Sequence, residues 1–294
     1  MKKLRIDSAL AERGLFASRT AAAAAVRAGE VRVGADGPIA LRPSELVSPE
    51  DDLIVSERPR FVSRGGVKLA NVLDTLGIEV RGLECLDVGA STGGFTDCLL
   101  QRGAARVIAL DVARGQLEAG LRADPRVAVL ERLNARELTP EALPFRPELT
   151  VFDVSFISLR KVLGPVAACI SPGGRILAMV KPQFELGRGR VGRGGVVRSP
   201  ADRREAVRLV AGHLEGLGLD VCGVASSGLP GPKGNRETFL CARTGAPAVA
   251  DLDAELERLD PDPAPGSHGS SGRARARRRP GGRAVADRGP GGRA

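Results

Sequence analysis

The sequence contains very little histidine and few aromatic residues, and these absences limit the chemistry that it supports. Among its 294 residues there are 8 phenylalanines, no tryptophan and no tyrosine, and the only histidines are His213 and His268. Histidine-based metal sites and catalytic triads are therefore nearly excluded. The shortage of aromatic rings also argues against extensive stacking on nucleic-acid bases, so shape and phosphate contacts would dominate such binding.

The cysteines predict neither a disulfide framework nor a zinc site. Five of them are scattered along the chain without a C-x-x-C pair: Cys85, Cys98, Cys169, Cys222 and Cys241. This pattern is typical of reduced, mostly buried thiols in a cytoplasmic protein. We therefore expect no metal ion.

Long apolar runs are absent as well. No stretch approaches membrane-spanning length, and the two N-terminal lysines are not followed by an apolar signal segment. We expect a protein that stays in the cytoplasm and has no membrane partner. A formal net charge of +9 favours a polyanionic partner, although general arginine enrichment for solubility is a comparable explanation.

The composition divides the chain into four parts. The first resembles a small α+β unit, with Ser18 as the predicted N-cap of an alanine-rich helix. The last contains an acidic helix-like stretch and then an Arg/Gly/Pro-rich tail, which we expect to be disordered. The predicted boundaries are 1–56 for the small unit, 57–66 for a linker, 67–245 for the main domain and 246–294 for the C-terminal part.

Short apolar strands alternate with longer amphipathic segments in the main domain. Seven strands are predicted: CLDV, RVIAL, VAVLE, LTVFDV, RILAMV, VCGVA and TFLCA. The helical segments between several of them favour an α/β fold with a mostly parallel seven-stranded sheet and helices on both faces. In such folds the ligand crevice lies outside the carboxyl ends of the strands.

A glycine cluster follows the first of these strands, in the stretch DVGASTGG. Asp87 ends the strand, and a helix is predicted to begin near Thr96, after Gly89, Gly93 and Gly94. Because glycine tolerates positive φ, the loop brings the backbone close to a ligand. Ser91 replaces the middle glycine of G-x-G-x-x-G, which disfavours a dinucleotide, and the P-loop is excluded because no Lys-Ser/Thr follows.

The next strand ends in Asp111, 22 residues after Gly89. This spacing matches the interval of about 20 residues at which a ribose-binding acid follows such a loop. The predicted ligand therefore carries a ribose and needs no pyrophosphate, and S-adenosylmethionine meets both conditions. A glycine turn that serves only tight packing is the alternative interpretation.

Further charged residues stand at the ends of apolar strands. Asp153 follows LTVF and Lys181 follows RILAMV, while Lys68 begins a helix and Glu237 precedes a late strand. A charge at the edge of a core is costly without a partner, so each is expected to have one. A capping aspartate and a lysine that reaches solvent are the alternatives for either residue alone.

Five ordered motifs, SRGGVKL, LDVGASTGGFTD, DVSFISL, MVKPQFE and GNRETF, together resemble the TlyA family, also called hemolysin A-like. Its members are S-adenosylmethionine-dependent ribosomal RNA 2′-O-methyltransferases with an N-terminal S4 RNA-binding domain. The resemblance covers about residues 1–243. It implies an S4-like domain at 1–56, a Rossmann-like, FtsJ-like methyltransferase domain at 67–245, and cytidine in ribosomal subunits as the target; we expect a monomer.

The resemblance further implies that Lys68, Asp153, Lys181 and Glu237 form the K-D-K-E tetrad of ribose 2′-O-methyltransferases. Our hypothesis is that Lys181, when neutral, accepts the proton of the 2′-hydroxyl, and that the nearby Lys68 favours its neutral form. Asp153 and Glu237 would orient the lysines and the ribose.

The loop pattern and the resemblance agree on a set of cofactor-binding residues: Asp87, Gly89, Ala90, Ser91, Gly93, Gly94, Asp111 and, near adenine, Asn134. A turn role is equally natural for Asn134. RNA contacts are expected from the S4-like unit and from the Gly/Arg stretch 185–199. The candidate RNA-binding residues are Arg5, Arg13, Ser18, Arg19, Arg27, Arg64, Arg188, Arg190 and Arg193.

Three other functions compete with this prediction. A nicotinamide-dependent dehydrogenase is disfavoured by the glycine spacing. A non-catalytic RNA- or ribosome-binding protein is disfavoured by the intact tetrad. A membrane-active hemolysin lacks support because the sequence shows no signal peptide and no basic amphipathic lytic helix.

Overall fold

The structure is a computed structural model that describes residues 3–16, 18–34, 37–40, 42–55, 60–192 and 194–261. The predicted disordered tail from residue 262 on, residues 57–59 of the predicted linker and Arg193 lie outside the described residues, as do the side chains of Arg27 and Arg188. Among the described residues, no helix combines the length and the apolar character that a membrane span requires.

The N-terminal residues form a small α+β unit with its own apolar core. Its elements are β1 (Leu4–Arg5), α1 (Ile6–Glu12), α2 (Arg19–Ala28), β2 (Val31–Val33), β3 (Leu46–Val47) and β4 (Leu53–Val55). The strands pair antiparallel, β1 with β3 and β2 with β4. Ser18 caps α2 as predicted, because its side chain accepts a hydrogen bond from the Ala21 N–H at 3.1 Å. Buried Ile6, Leu10 and Val26 pack between the helices and strands.

The main part of the chain contains the seven predicted strands in one sheet. They are β5 (Glu84–Val88), β6 (Arg106–Asp111), β7 (Val127–Glu131), β8 (Leu149–Phe152), β9 (Arg175–Val180), β10 (Asp220–Ser226) and β11 (Thr238–Arg243). The strand order is β10-β11-β9-β8-β5-β6-β7, and β11 runs in the opposite direction to the other six strands. The prediction of a mostly parallel seven-stranded α/β sheet is confirmed.

Helices cover both faces of this sheet. They are α3 (Arg64–Thr75), α4 (Gly94–Gln101), α5 (Ala119–Ala123), α6 (Leu163–Ala167), α7 (Pro182–Glu185), α8 (Pro200–Gly216) and α9 (Leu252–Leu259). Because side chains alternate along a strand, Leu86 and Val88 of β5 enter one core while Cys85 enters the other. The first core includes α6, α8 and α9, and the second includes α3 and α4.

The helix after the glycine loop begins two residues earlier than the sequence predicted. The first helical residue of α4 is Gly94 and not Thr96, because Gly93 adopts φ +97° and acts as the N-cap. A left-handed residue ends the loop there and lets the helix start immediately. Thr96 instead lies within the first turn, where its N–H and its hydroxyl both donate hydrogen bonds to Asp87.

Candidate functional site

The glycine loop lies at the carboxyl end of β5, between β6 and β8. Gly89 has φ +90°, and a Cβ on it would stand 2.9 Å from the Asp153 carbonyl oxygen. A Cβ on Gly93 would stand 2.3 Å from Leu121 Cδ1. Both glycines are therefore required by close packing as well as by φ. Of these two glycines, Gly89 borders both cavities described below and Gly93 borders neither.

Ser91 is the residue that replaces the middle glycine, and it also adopts a positive φ of +48°. Its N–H donates a hydrogen bond to Asp111 Oδ2 at 2.7 Å, and its hydroxyl bonds Gln116 at 3.2 Å. Asp111 Oδ1 accepts from the Ala113 N–H at 2.8 Å. The carboxylate of Asp111 thus connects the glycine loop to the end of β6.

A cavity of about 480 Å³ opens beside Asp111. Gly89 and Ser91 form one wall of this cavity and Asn134 lies on another. Asn134 Oδ1 accepts a hydrogen bond from the Arg136 N–H at 3.1 Å, so Asn134 begins a 3₁₀ turn and lines the cavity at the same time. The two roles that the sequence left open for this residue are compatible.

Asp87 is fully buried behind the glycine loop. Its Oδ2 accepts hydrogen bonds from the N–H and the hydroxyl of Thr96 at 2.9 and 2.7 Å, while Oδ1 has no hydrogen-bond partner among the described residues. Burial raises the pKa of Asp87 to about 7, and the neighbouring carboxylates Asp153 and Asp111 add to the rise. An unpartnered buried oxygen beside a cavity suits a ligand that donates a hydrogen bond or carries positive charge.

Lys68 and Glu237 form a buried ion pair at one side of a second cavity of about 480 Å³. Lys68 lies in the second turn of α3, and Glu237 stands immediately before β11. Their side chains are 8 and 2% exposed, so each charge depends on the other for stabilisation. Gly231 packs against Glu237, because a Cβ there would stand 2.6 Å from Oε1.

Lys181 and Asp153 form a second ion pair in the same cavity. The distance from Lys181 Nζ to Asp153 Oδ1 is 2.5 Å, and Nζ also donates to the Ser155 hydroxyl at 2.8 Å. Lys181 precedes α7 at the end of β9, and Asp153 follows β8, so adjacent parallel strands bring them together. Asp153 is 28% exposed and is the most accessible member of the two pairs.

The helix that carries Lys68 is closely packed against the glycine loop. A Cβ on Gly66 would stand 2.4 Å from Phe61 Cγ and 2.8 Å from the Gly94 carbonyl oxygen. A Cβ on Gly94 would stand 2.1 Å from Ser63 Oγ. The glycines of SRGGVKL therefore permit the contact between the start of α3 and the start of α4.

Phe156 is a feature of the site that the sequence did not reveal. Its side chain is 91% exposed, its φ is +64°, and its ring packs against Phe184 with centroids 5.4 Å apart. It borders both the cavity beside Asp111 and a recess of about 260 Å³ that Lys181 and Glu237 also line. An exposed ring there offers a stacking surface for a planar group. The DVSFISL motif contained it, but the overall shortage of aromatics obscured it.

The predicted RNA-binding residues differ in how they are engaged. Arg5 and Arg19 both pair with the nearly buried Asp7, and they remain 43 and 58% exposed. Arg13 donates hydrogen bonds to three backbone carbonyls, those of Asp51, Ser48 and Pro49. Ser18 serves as the helix cap described above.

The remaining predicted RNA contacts lie nearer the cavities. Arg64 borders the cavity of the two ion pairs and donates a hydrogen bond to the Pro230 carbonyl at 2.7 Å. Arg190 pairs with Asp202 at 3.1 Å near the start of α8. The predicted RNA contacts Arg27, Arg188 and Arg193 lie outside the described residues or have side chains that do.

Comparisons with known proteins agree with this architecture. The FtsJ-like methyltransferase family matches residues 61–244. The 16S/23S rRNA (cytidine-2′-O)-methyltransferase TlyA of Mycobacterium tuberculosis is 51% identical over 246 residues, which cover 83% of this chain and 91% of that protein. YqxC of Bacillus subtilis, described as a candidate rRNA methyltransferase, is 40% identical over 241 residues, or 81% of this chain and 85% of its own.

A solved structure is similar over most of the chain. A candidate hemolysin from Streptococcus thermophilus has a TM-score of 0.67 at 35% identity and covers 88% of this chain and 94% of its own. The fold and the family match define an S-adenosylmethionine-dependent methyltransferase of the FtsJ-like class. More narrowly, the chain belongs to the TlyA family. The predicted enzyme class and cofactor are confirmed.

Proposed function

We propose that this protein transfers a methyl group from S-adenosylmethionine to the ribose 2′-hydroxyl of a cytidine in ribosomal RNA. The observation that carries the proposal is that two lysine–carboxylate pairs, Lys68 with Glu237 and Lys181 with Asp153, border one cavity beside the glycine loop. The activity named for the Mycobacterium tuberculosis relative supports the choice of substrate.

The residues around the two cavities fit this cofactor. The unpartnered Oδ1 of Asp87 suits the ammonium of the methionine part, and Asp111 lies where its carboxylate would accept hydrogen bonds from ribose hydroxyls. Gly89, Ala90 and Ser91 would contact the methionine part, and Asn134 the adenine. Gly93 and Gly94 would shape the loop. When bound, the cofactor supplies a methyl group activated by a positively charged sulfur.

Lys181 is assigned the role of proton acceptor from the 2′-hydroxyl. The cavity holds its Nζ beside Asp153 and Ser155, which fix its position. Lys68 and Glu237, on the other side of the cavity, would orient the ribose and contribute to the electrostatic balance.

The RNA would contact the protein through two regions. One is the N-terminal unit, proposed as an S4-like domain over residues 1–56, whose Arg5 and Arg19 present partly exposed guanidinium groups. The other is the Gly/Arg stretch 185–199, which follows Lys181 in the chain. A linker at 57–66 would join that domain to the methyltransferase domain at 67–245. We further propose a cytoplasmic monomer that acts on ribosomal subunits.

The test is to map 2′-O-methylation in ribosomal RNA after incubation of unmethylated subunits with labelled cofactor and either wild-type protein or Lys181→Ala. We expect a methylated cytidine with the wild-type protein and a loss of about 10³-fold in rate with the variant, the range associated with a positioned general base. Lys161→Ala, which changes an exposed lysine, is the control.

Binding measurements separate the enzyme from a non-catalytic ribosome-binding protein. Lys181→Ala should keep wild-type affinity for cofactor and for subunits. If the wild-type protein binds both and methylates neither subunit, the proposed reaction is refuted. A Lys181→Ala variant with wild-type binding and wild-type methylation would refute the assignment of the base alone.

A further inference from the structure

The segment Gly195–Arg198 runs beside the recess that Lys181 and Glu237 line. It closes the Gly/Arg stretch that precedes α8, and Gly195 itself borders the recess. A segment without helix or strand structure in this place needs other contacts to fix its backbone. The buried side chain of Asn235 and the largely buried side chain of Arg203 supply these contacts.

Asn235 holds the segment from the side of the Glu237 loop. The side chain is 2% exposed; its Nδ2 donates a hydrogen bond to the Gly195 carbonyl at 2.8 Å, and its Oδ1 accepts one from the Val197 N–H at 2.9 Å. The amide thus satisfies both a donor and an acceptor of another backbone segment. The Asn235 carbonyl also accepts from the Gly231 N–H at 2.8 Å, so the same residue closes its own loop.

Arg203 of α8 holds the segment from the other side. Its Nη1 donates hydrogen bonds to the carbonyls of Val197 and Arg198 at 3.1 and 2.7 Å. Its Nε and Nη2 form a two-point contact with Asp260, at 2.5 and 2.7 Å. The side chains of Arg203 and Asp260 are only 12 and 13% exposed, so the geometry of the pair is well constrained.

Asp260 connects these contacts to the loop that carries Glu237. It follows α9, and its Oδ1 also accepts a hydrogen bond from Arg236 Nη1 at 3.1 Å. Arg236 lies between Asn235 and Glu237 in the chain. Asp260 therefore contacts both Arg203, which holds the segment, and Arg236, which is next to Glu237. It lies beyond residue 244, where the family match ends.

We infer that Asn235 and Asp260 are positioning residues that hold Gly195–Arg198 as a preformed wall of the RNA substrate site. The inference rests on the proposed function, because it takes the recess beside Lys181 as the place where RNA enters. A segment that is ordered before binding loses less conformational entropy when the RNA arrives. The residues touch neither cofactor cavity, so their effect falls on the substrate.

The test compares Asn235→Ala and Asp260→Asn with two matched controls. Asn71→Ala removes an amide hydrogen bond to the Ser227 carbonyl, near the start of the Glu237 loop, and leaves the segment untouched. Asp253→Asn removes an exposed ion pair between Asp253 of α9 and Arg208 of α8, close in sequence to Asp260. Methylation kinetics on ribosomal subunits and the dissociation constant for S-adenosylmethionine are measured for all four variants.

We expect KM for the subunits to rise about tenfold in Asn235→Ala and Asp260→Asn, which corresponds to about 1.4 kcal/mol of lost binding. The turnover number should stay within about threefold of wild type, and cofactor affinity should not change, since the substitutions leave the glycine loop unaltered. Both controls should keep the wild-type KM. Asn235→Asp, which keeps the acceptor for the Val197 N–H, should give an intermediate KM.

Limited trypsin digestion tests, independently of activity, whether Asn235 and Asp260 hold the segment Gly195–Arg198 in place. Cleavage after Arg198 should be faster in Asn235→Ala and Asp260→Asn than in wild type and the controls, at a temperature where all are folded. Unchanged cleavage would overturn the inference, as would faster cleavage with a wild-type KM. Absence of methylation by the wild-type protein would instead refute the proposed function, while the digestion would still report whether the segment is held.

Discussion

The two halves of the site are built by different means. The half proposed for the cofactor, here called the cofactor half, consists of the loop Asp87–Gly94 with Asp111, and it is shaped mainly by backbone conformation and by carboxylates that bond nearby N–H groups. The half proposed for the RNA, here called the substrate half, consists of Asp153–Phe156, Gly195–Arg198 and Gly231–Glu237, with the paired lysines Lys68 and Lys181, and side chains from distant parts of the chain hold it together. Substitutions should therefore affect the two halves in different ways.

The largest effect is expected in the substrate half, at its more deeply buried ion pair. Glu237→Gln leaves the Lys68 ammonium buried without its carboxylate, which should lower the free energy of unfolding by about 3–5 kcal/mol. Asp153→Asn, where the carboxylate is 28% exposed, should cost about 1 kcal/mol. Urea denaturation of both variants measures the difference. Equal losses would show that burial does not distinguish the two pairs.

In the cofactor half, the next effect should come from backbone geometry. Gly89→Ala adds both the strain of a positive φ and a Cβ only 2.9 Å from the Asp153 carbonyl oxygen. We expect cofactor affinity to fall more than about tenfold and the free energy of unfolding by about 1–3 kcal/mol. Gly115→Ala is the matched control, since it has φ +71° with nothing within 4 Å of its Cβ. Calorimetric titration should give Gly115→Ala a wild-type affinity.

A pH dependence of stability and of cofactor affinity is expected from Asp87 in the cofactor half. Because burial raises the pKa of Asp87 to about 7 from 3.8, the folded protein holds this proton more tightly than the unfolded chain. The resulting stability is full below pH 4 and is lost as the pH rises through 7. Affinity for the cationic cofactor should change in the opposite direction and strengthen from pH 6 to pH 8. Asp87→Asn should abolish both slopes; an unchanged affinity slope would assign it to another group.

The smallest effect is expected at the edge of the cofactor half. Asn134→Ala removes a turn cap and the proposed adenine contact, and it should weaken cofactor binding by about fivefold, the value of one hydrogen bond. Asn134→Asp keeps the capping oxygen and removes the amide donor. If Asn134→Asp binds the cofactor as wild type does, the residue acts through the turn. KM for the subunits should stay unchanged in both variants.

The difference between the halves also explains which parts of the site could be predicted from the sequence. The cofactor half lies within about 25 residues of one βαβ unit, so the glycine spacing and Asp111 indicated its chemistry directly. The seven strands were predictable for the same reason, because each is a local apolar run. The start of α4 was missed by two residues because the N-cap depends on the φ of Gly93, which the sequence does not state.

The substrate half depends on contacts that no local pattern contains. Lys68 and Glu237 lie 169 residues apart in the chain, and only the resemblance to a family placed them in one set. Asn235 and Asp260 gave no signal, because an asparagine in a Gly/Pro-rich loop and an aspartate after a helix are both common as turn residues. The exposed ring of Phe156 was not predicted, because the low aromatic content of the whole chain says nothing about where a single phenylalanine lies.

The close contact between Gly66 and Gly94 has a consequence for which substitutions the site can accept. At this contact the helix that carries Lys68 packs directly against the end of the glycine loop, with no room for a side chain on either glycine. A side chain at either glycine would therefore disturb the positions of Lys68 and of the glycine loop together. The proposed sites for RNA and for the cofactor therefore both depend on this one close contact between two glycines.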